Sequence, residues 1–218
     1  MKKIQVFGLF LLLALFPFLA QAEFEEGHEY RVLYNQPPVE KGAPLEVVEF
    51  FWYGCVHCYN FETYLNNWIK NKSADVKFTK IPAIFRSRGS AAAMDPTTRF
   101  HAQVYYALEL MGEVDRLNET IFEARHKQGN KLANQEQVEK LLEQHNVDIN
   151  TFRKAMKAWH VDTKVKSAFA KFQQSQARGV PVISVNGRYI SGDVKNYDEL
   201  TSVIDHMVDL VRQEQAEQ

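Results

Sequence analysis

The stretch LEVVEFFWY, Leu45 to Tyr53, is an almost unbroken apolar run that ends at Gly54 and leads straight into Cys55. Such a run suits a β-strand buried on both faces, which demands a layer above it and a layer below. From about Cys55 the periodicity changes. Cys58, Phe61, Leu65 and Trp68 recur at spacings of three and four, which predicts a helix with one buried stripe. DVKFTKIP, Asp75 to Pro82, then reads as the next strand. Strand, helix and strand in this order predict a right-handed parallel crossover, so the chain is an α/β protein.

The flanking segments extend this frame. EYRVLYN, Glu29 to Asn35, reads as a short strand followed by a turn at Pro37-Pro38. From Arg88 to Lys166 the pattern is helical throughout. Phe100, Val104, Leu108 and Met111 make one stripe; Leu117, Ile121 and Phe122 part of another; Val138, Leu141 and Leu142 a third; Met156 and Trp159 continue the theme. A longer helix is expected from Thr163 to Ala177, with Phe169 and Phe172 inward. VPVISVN (Val180 to Asn186) and RYI (Arg188 to Ile190) flank Asn186-Gly187, a strong hairpin signal. A last amphipathic helix carries Tyr197, Leu200, Ile204 and Met207. Strands and helices at both ends thus enclose a helical middle. The expected organisation is a discontinuous α/β domain, residues 23–87 and 167–218, with a helical insertion at 88–166.

The N-terminus has a different character. Lys2 and Lys3 precede the apolar run IQVFGLFLLLALFPFLA, and Ala20-Gln21-Ala22 follows as a small-x-small site. This is the pattern of a secretory signal peptide over residues 1–22, with cleavage after Ala22 and export to an oxidising compartment, the periplasm. The run is shorter than the roughly 20 residues of a membrane-spanning helix, and Pro17 interrupts it. The formal net charge is −1, which favours neither nucleic acid nor an anionic membrane surface as a partner.

The chain has 2 cysteines, Cys55 and Cys58, and both fall in one turn. A structural zinc site needs four ligands, and no second pair of cysteines or suitably spaced histidines follows. Haem attachment needs a histidine directly after the second cysteine, where this chain has Tyr59. A bridge from Cys55 to Cys58 closes almost no loop, so it would be a poor staple. The setting of strand, glycine, cysteine and helix favours thiol exchange. A thiol at a helix N-terminus meets unpaired backbone N–H groups and the positive end of the helix dipole, and both favour the thiolate. A second thiol three residues on, recessed on the buried stripe, can attack a mixed disulfide at the first. Electrostatic help from the His57 imidazole is expected for the Cys55 thiolate. Glu49 is a carboxylate inside an apolar strand, a costly position unless it is partnered or protonated. Phe51 reads as core; Trp52 and Tyr53 suit either core or a docking surface.

The stretches APLEVVEFFWYGCVHCYNFE and RGVPVISVNGRYI make the chain resemble the DsbA family of periplasmic thiol–disulfide oxidoreductases. The resemblance covers essentially the whole chain after the leader. It implies a thioredoxin fold with an inserted all-helical domain. It also implies that Cys55 and Cys58 form a redox-active disulfide donated to folding exported proteins with free cysteines. Glu49 then lies beneath the active site and helps move the Cys58 proton. Val180–Pro181 would be a cis peptide beside the cysteines, where Val180 offers its backbone to an extended substrate. The implied reoxidant is a DsbB-like inner-membrane protein, and the expected state is a monomer with no organic cofactor and no metal. Where the family's commonest dipeptide between the cysteines is Pro-His, this chain has Val56-His57. From the residues alone, a disulfide reductase or isomerase, a non-catalytic peptide-binding chaperone and a metal carrier stay open as alternatives.

Overall fold

The computed structural model describes residues 24–34, 42–90 and 92–217 of the 218. The expected signal peptide, the expected cleavage site after Ala22 and the expected Pro37-Pro38 turn lie outside the described residues.

The elements in chain order are β1 (Tyr30–Val32), β2 (Leu45–Phe51), α1 (Val56–Asn71) and β3 (Val76–Pro82). Then come α2 (Pro96–Leu110), α3 (Val114–His126), α4 (Gln135–Gln144), α5 (Ile149–Met156) and α6 (Trp159–Gln174). The chain closes with β4 (Val182–Val185), β5 (Tyr189–Ser191) and α7 (Tyr197–Ala216). The strands form one sheet in the order β1-β5-β4-β2-β3. β2 and β3 are parallel, as the strand–helix–strand reading requires, and the other pairs are antiparallel. β2 has a partner on each side, and all its residues except Glu46 are buried. That is why its sequence reads as a continuous apolar run.

Alternation along β2 divides the core in two. Leu45 and Val47 pack with Phe61, Leu65 and Trp68 of α1 and with Leu200, Ile204 and Met207 of α7. Val48 and Phe50 face the opposite way, toward Phe172 of α6 and the inserted helices. Trp68 ties the first layer together by donating its indole N–H to Asp205 of α7 at 2.8 Å. At the β4–β5 hairpin, Asn186 and Gly187 have φ of 50° and 59°, the left-handed pair that a tight two-residue turn needs.

Several boundaries differ from the sequence reading. β1 stops at Val32 and β2 at Phe51, because Trp52 and Tyr53 leave the ladder to bond with the inserted helices. β4 begins at Val182, not Val180, since Pro181 has no N–H for a ladder. Residues 88–90 and 92–95 are not helical; Arg86 bridges Met94, and Asp95 then caps α2. Trp159, expected on a buried stripe, is 79% exposed. It opens α6, whose inward positions are Val161, Val165, Ala168 and Phe172. That helix starts at Trp159 instead of Thr163, and it runs without a break through residues 166 and 167.

Candidate active site

The end of β2 and the start of α1 place the two cysteines. Gly54 lies where the Trp52 ring crosses the chain; a Cβ there would sit 2.2 Å from the Trp52 Cζ2 atom, so no larger residue fits without displacing the indole. Cys55 is the N-cap of α1, with extended φ and ψ of −93° and 116°. Its Sγ takes the place of a capping oxygen and accepts the Cys58 backbone N–H at 3.4 Å. Cys55 is half-buried and Cys58 fully buried, so only one sulfur of the pair is open to attack.

The two thiols are driven apart in acidity. The Cys55 pKa is lowered from the ordinary thiol value to about 6. The largest cause is a hydrogen bond from the Cys58 thiol; burial opposes it, and the backbone N–H groups of Cys58 and His57 add to it. The His57 charge comes last among these contributions. The imidazole that the sequence put forward therefore matters less than the helix terminus that carries it. His57 is exposed, with Nδ1 at 3.3 Å from the Tyr197 hydroxyl. Burial pushes the Cys58 thiol far above the ordinary range, and its hydrogen bond to Cys55 pushes it the same way.

Beyond the sulfur stands the β4 entry. The Val180–Pro181 peptide is cis. Cys55 Sγ lies 3.2 Å from the Val180 carbonyl oxygen, to which a thiol, but not a thiolate, can donate. Val180 and Pro181 are both partly exposed.

Beneath the cysteines lies a buried charge cluster. Glu49 is 0% exposed and points to the α1 side of the sheet. Strand register sets Lys80 of β3 directly beside it, with Nζ at 3.3 Å from Oε2. Lys80 also pairs with Glu62, one turn beyond Cys58 on α1. Burial raises the Glu49 pKa to about 7; Lys80 works against this, while Glu62 and Cys55 work with it. Glu49 and Cys58 are near enough for their charges to interact. The Lys80 pKa is also raised: burial disfavours its charge, but the two glutamates outweigh that.

Sequence reasoning found Glu49 and missed its partners. A signal was present, since β2 and β3 in parallel register pair residue 49 with residue 80, and Glu62 follows Cys58 by four, on the same helix face. For two histidines of the inserted helices no local signal exists. His101 accepts the Trp52 indole N–H at Nδ1 (2.9 Å) and donates from Nε2 to the Leu132 carbonyl (3.1 Å). Burial lowers its pKa, which suits this neutral tautomer. His126 donates to the Tyr53 carbonyl at 2.8 Å and stacks on Tyr59. Together they fix the segment that leads into Cys55. Phe51 is core, Tyr53 is buried, and Trp52 is half-buried.

A capped, acidic outer thiol, a recessed inner thiol and a buried near-neutral carboxyl can together carry out thiol–disulfide exchange. Among the described residues, no cluster of histidines, cysteines and acids could hold a metal ion. Comparison with known proteins agrees. Residues 46–205 match the family model of the DSBA-like thioredoxin domain. The thiol:disulfide interchange protein DsbA of Azotobacter vinelandii is 34% identical over 90% of this chain and 89% of its own length. The DsbA of Pseudomonas aeruginosa strain PAO1 is 31% identical over 97% and 98%. A crystal structure of Pseudomonas aeruginosa DsbA superposes with a TM-score of 0.78 at 32% identity, covering 89% of this chain and 97% of that one. The DsbA of Xylella fastidiosa gives 0.75 at 26% identity, covering 86% and 97%. With its acidic N-cap thiol, its cis-proline neighbour and its helices inserted after β3, the chain belongs to the DSBA-like thioredoxin domain family of thiol–disulfide oxidoreductases.

Proposed function

We propose that this oxidoreductase works as a dithiol oxidase of the periplasm, exported by a leader removed after Ala22, and that it donates the Cys55–Cys58 disulfide to folding proteins with free cysteines. The observation that carries this reading is the contrast between the two thiols: Cys55 caps α1 and is half-buried, whereas Cys58 is fully buried, which favours the thiolate at the first and disfavours it at the second. A substrate thiolate attacks Cys55 Sγ, and the bond between Cys55 and Cys58 breaks. Cys58 leaves with the electron pair and needs a proton at once, because its buried thiolate is strongly disfavoured. Glu49, with a pKa of about 7, is half protonated at neutral pH and supplies that proton. A second substrate thiolate then attacks the substrate sulfur of the mixed disulfide. Cys55 departs as a stabilised thiolate, a good leaving group, and two electrons have passed from substrate to enzyme.

His57 supports the Cys55 thiolate by its backbone N–H and, to a smaller extent, by its ring. Val180 and Pro181 form the edge on which an extended substrate lies, with the Val180 carbonyl and N–H as pairing groups. Reoxidation falls to a DsbB-like inner-membrane partner, with Glu49 taking the Cys58 proton back as the disulfide re-forms. The protein acts as a monomer and uses no organic cofactor or metal. No helix among the described residues is long and apolar enough to cross a membrane.

The test is stoichiometric oxidation of a reduced model protein. The wild-type disulfide form should transfer one disulfide per chain. Cys55→Ala should transfer none. Cys58→Ala, loaded as a mixed disulfide on Cys55, should exchange its partner but form no internal bond. A peptide-binding chaperone or metal carrier would bind the reduced substrate, or metal, without changing its thiol count.

A further inference from the structure

The groove beside the buried charge cluster brings in a residue from the inserted helices. Asn118, half-buried on α3, donates its Nδ2 to Glu62 Oε2 at 2.9 Å. Its Oδ1 accepts the hydroxyl of Tyr53 at 3.2 Å. The amide orientation is fixed by chemistry, because an ionised carboxylate only accepts, so the nitrogen must face Glu62 and the oxygen is left for Tyr53. Tyr53 is buried, its ring held against Phe51 and Phe122. The Tyr53 hydroxyl thus anchors one end of Asn118, and Asn118 anchors Glu62.

Glu62 is thereby held at both oxygens, by Lys80 on Oε1 and by Asn118 on Oε2. Lys80 lies nearer Glu62 than Glu49, whose two oxygens have no hydrogen-bond partner of good geometry. One ammonium group serves two acids, and Asn118 bonds one of them.

We propose that Asn118 is a positioning residue for the exchange reaction: from the inserted helices it holds Glu62 on Lys80, and so limits how much of the Lys80 charge reaches Glu49. The proposal rests on the reading of Glu49 as the proton donor to Cys58, and it assigns the helical insertion a part in setting that donor's strength. Glu62, Thr79, Lys80 and Asn118 line a groove of about 520 Å³ that opens between α1, β3, α2 and α3. Without Asn118, Glu62 can turn into that groove and toward water. Lys80 then swings fully to Glu49, and a negative charge moves away from it. Both changes favour the ionised form of Glu49. The groups that face Glu49 are Lys80 from β3, Glu62, Cys55 and Cys58 from the α1 side, and Tyr105 from α2. The acids Glu109, Asp115 and Glu119 stand farther out along the groove.

The experiment is a titration of the Glu49 carboxyl by isotope-edited NMR in the reduced protein, its resonance assigned by its loss in Glu49→Gln. In the wild type the midpoint should lie at about 7. In Asn118→Leu it should fall by about one unit, a tenfold loss of proton affinity. Asn118→Ser, which leaves the groove wet and the helix packing intact, should move it in the same direction. In a Glu62→Gln background Asn118→Leu should add nothing, because the effect runs through Glu62. Protonated Glu49 at neutral pH would drop from about half to about a tenth, so mixed-disulfide formation should slow about fivefold in Asn118→Leu. An unmoved midpoint in both Asn118 variants, or an equal shift with Glu62 already removed, overturns the proposal. A midpoint that falls while the rate and its pH profile stay unchanged upholds the positioning role and overturns Glu49 as the proton donor.

Discussion

Replacing Lys80 with Met is expected to destabilise the fold by about 3–5 kcal/mol above neutral pH, the cost typical of leaving a buried charge without its partner. Met fills most of the volume of the Lys80 stem, so the loss measures charge and not a cavity. Two carboxyls, Glu49 at 0% exposure and Glu62 at 6%, would then face each other with no cation between them. The sign with pH follows from linkage. An acid whose folded pKa is raised binds its proton more tightly when folded, so the destabilisation is present at high pH and fades as pH falls and the proton is taken up. Denaturant melts of Lys80→Met and wild type across this range should therefore converge toward acid pH. A constant gap would mean that the lysine acts independently of the carboxylates, for instance through its ammonium group over the Phe51 and Phe122 rings at 5.1 and 5.9 Å.

The second large effect is redox-linked. The reduced protein should be more stable than the oxidised one at neutral pH, the reverse of the usual effect of a disulfide. Bridging Cys55 to Cys58 closes too small a loop to constrain the unfolded chain much, and it abolishes a thiolate that the helix terminus favours. The folded pKa of Cys55 is depressed to about 6. Its contribution is complete above the unfolded thiol value and is lost as pH falls through about 6. With allowance for solvent screening of the half-exposed sulfur, it amounts to about 1 kcal/mol at neutral pH and grows toward alkaline pH. Paired melts of the two forms should show a gap that widens from acid to alkaline conditions. An oxidised form that is the more stable at every pH would mark the protein as a reductase.

The legible parts of this fold are those where one local pattern has one physical cause. The run Leu45–Phe51 announces a strand with layers on both sides, and α1 follows because Cys58, Phe61, Leu65 and Trp68 repeat at helical spacing and are all buried. Cys55 as an N-cap was readable because Gly54 separates a strand period from a helix period. Glu49 stood out as a charge in an apolar strand. Lys80 was overlooked although it follows Thr79 directly and so breaks the alternation of DVKFTKIP; the β2–β3 register then sets it beside Glu49. Trp159 misled because hydrophobicity says nothing about where in a turn a helix begins. His101, His126 and Asn118 were out of reach. Each reaches from the inserted helices to α1 or to the segment between β2 and α1, over sequence separations of 49, 73 and 56 residues.

Val56 is 48% exposed at the first helical position, where a proline would also be accommodated. The groups that stabilise the Cys55 thiolate, namely the Cys58 thiol and the N–H groups of Cys58 and His57, come from the residues that follow it. The oxidising direction therefore rests on the helix terminus and the recessed thiol, and does not require proline in the dipeptide.

The redox equilibrium with glutathione at neutral pH tests this most directly, because it weighs the Cys55 thiolate against the disulfide without any protein substrate. The account predicts a protein already largely reduced while oxidised glutathione is still in large excess. A Cys55–Cys58 disulfide that persists until reduced glutathione dominates the mixture would contradict it.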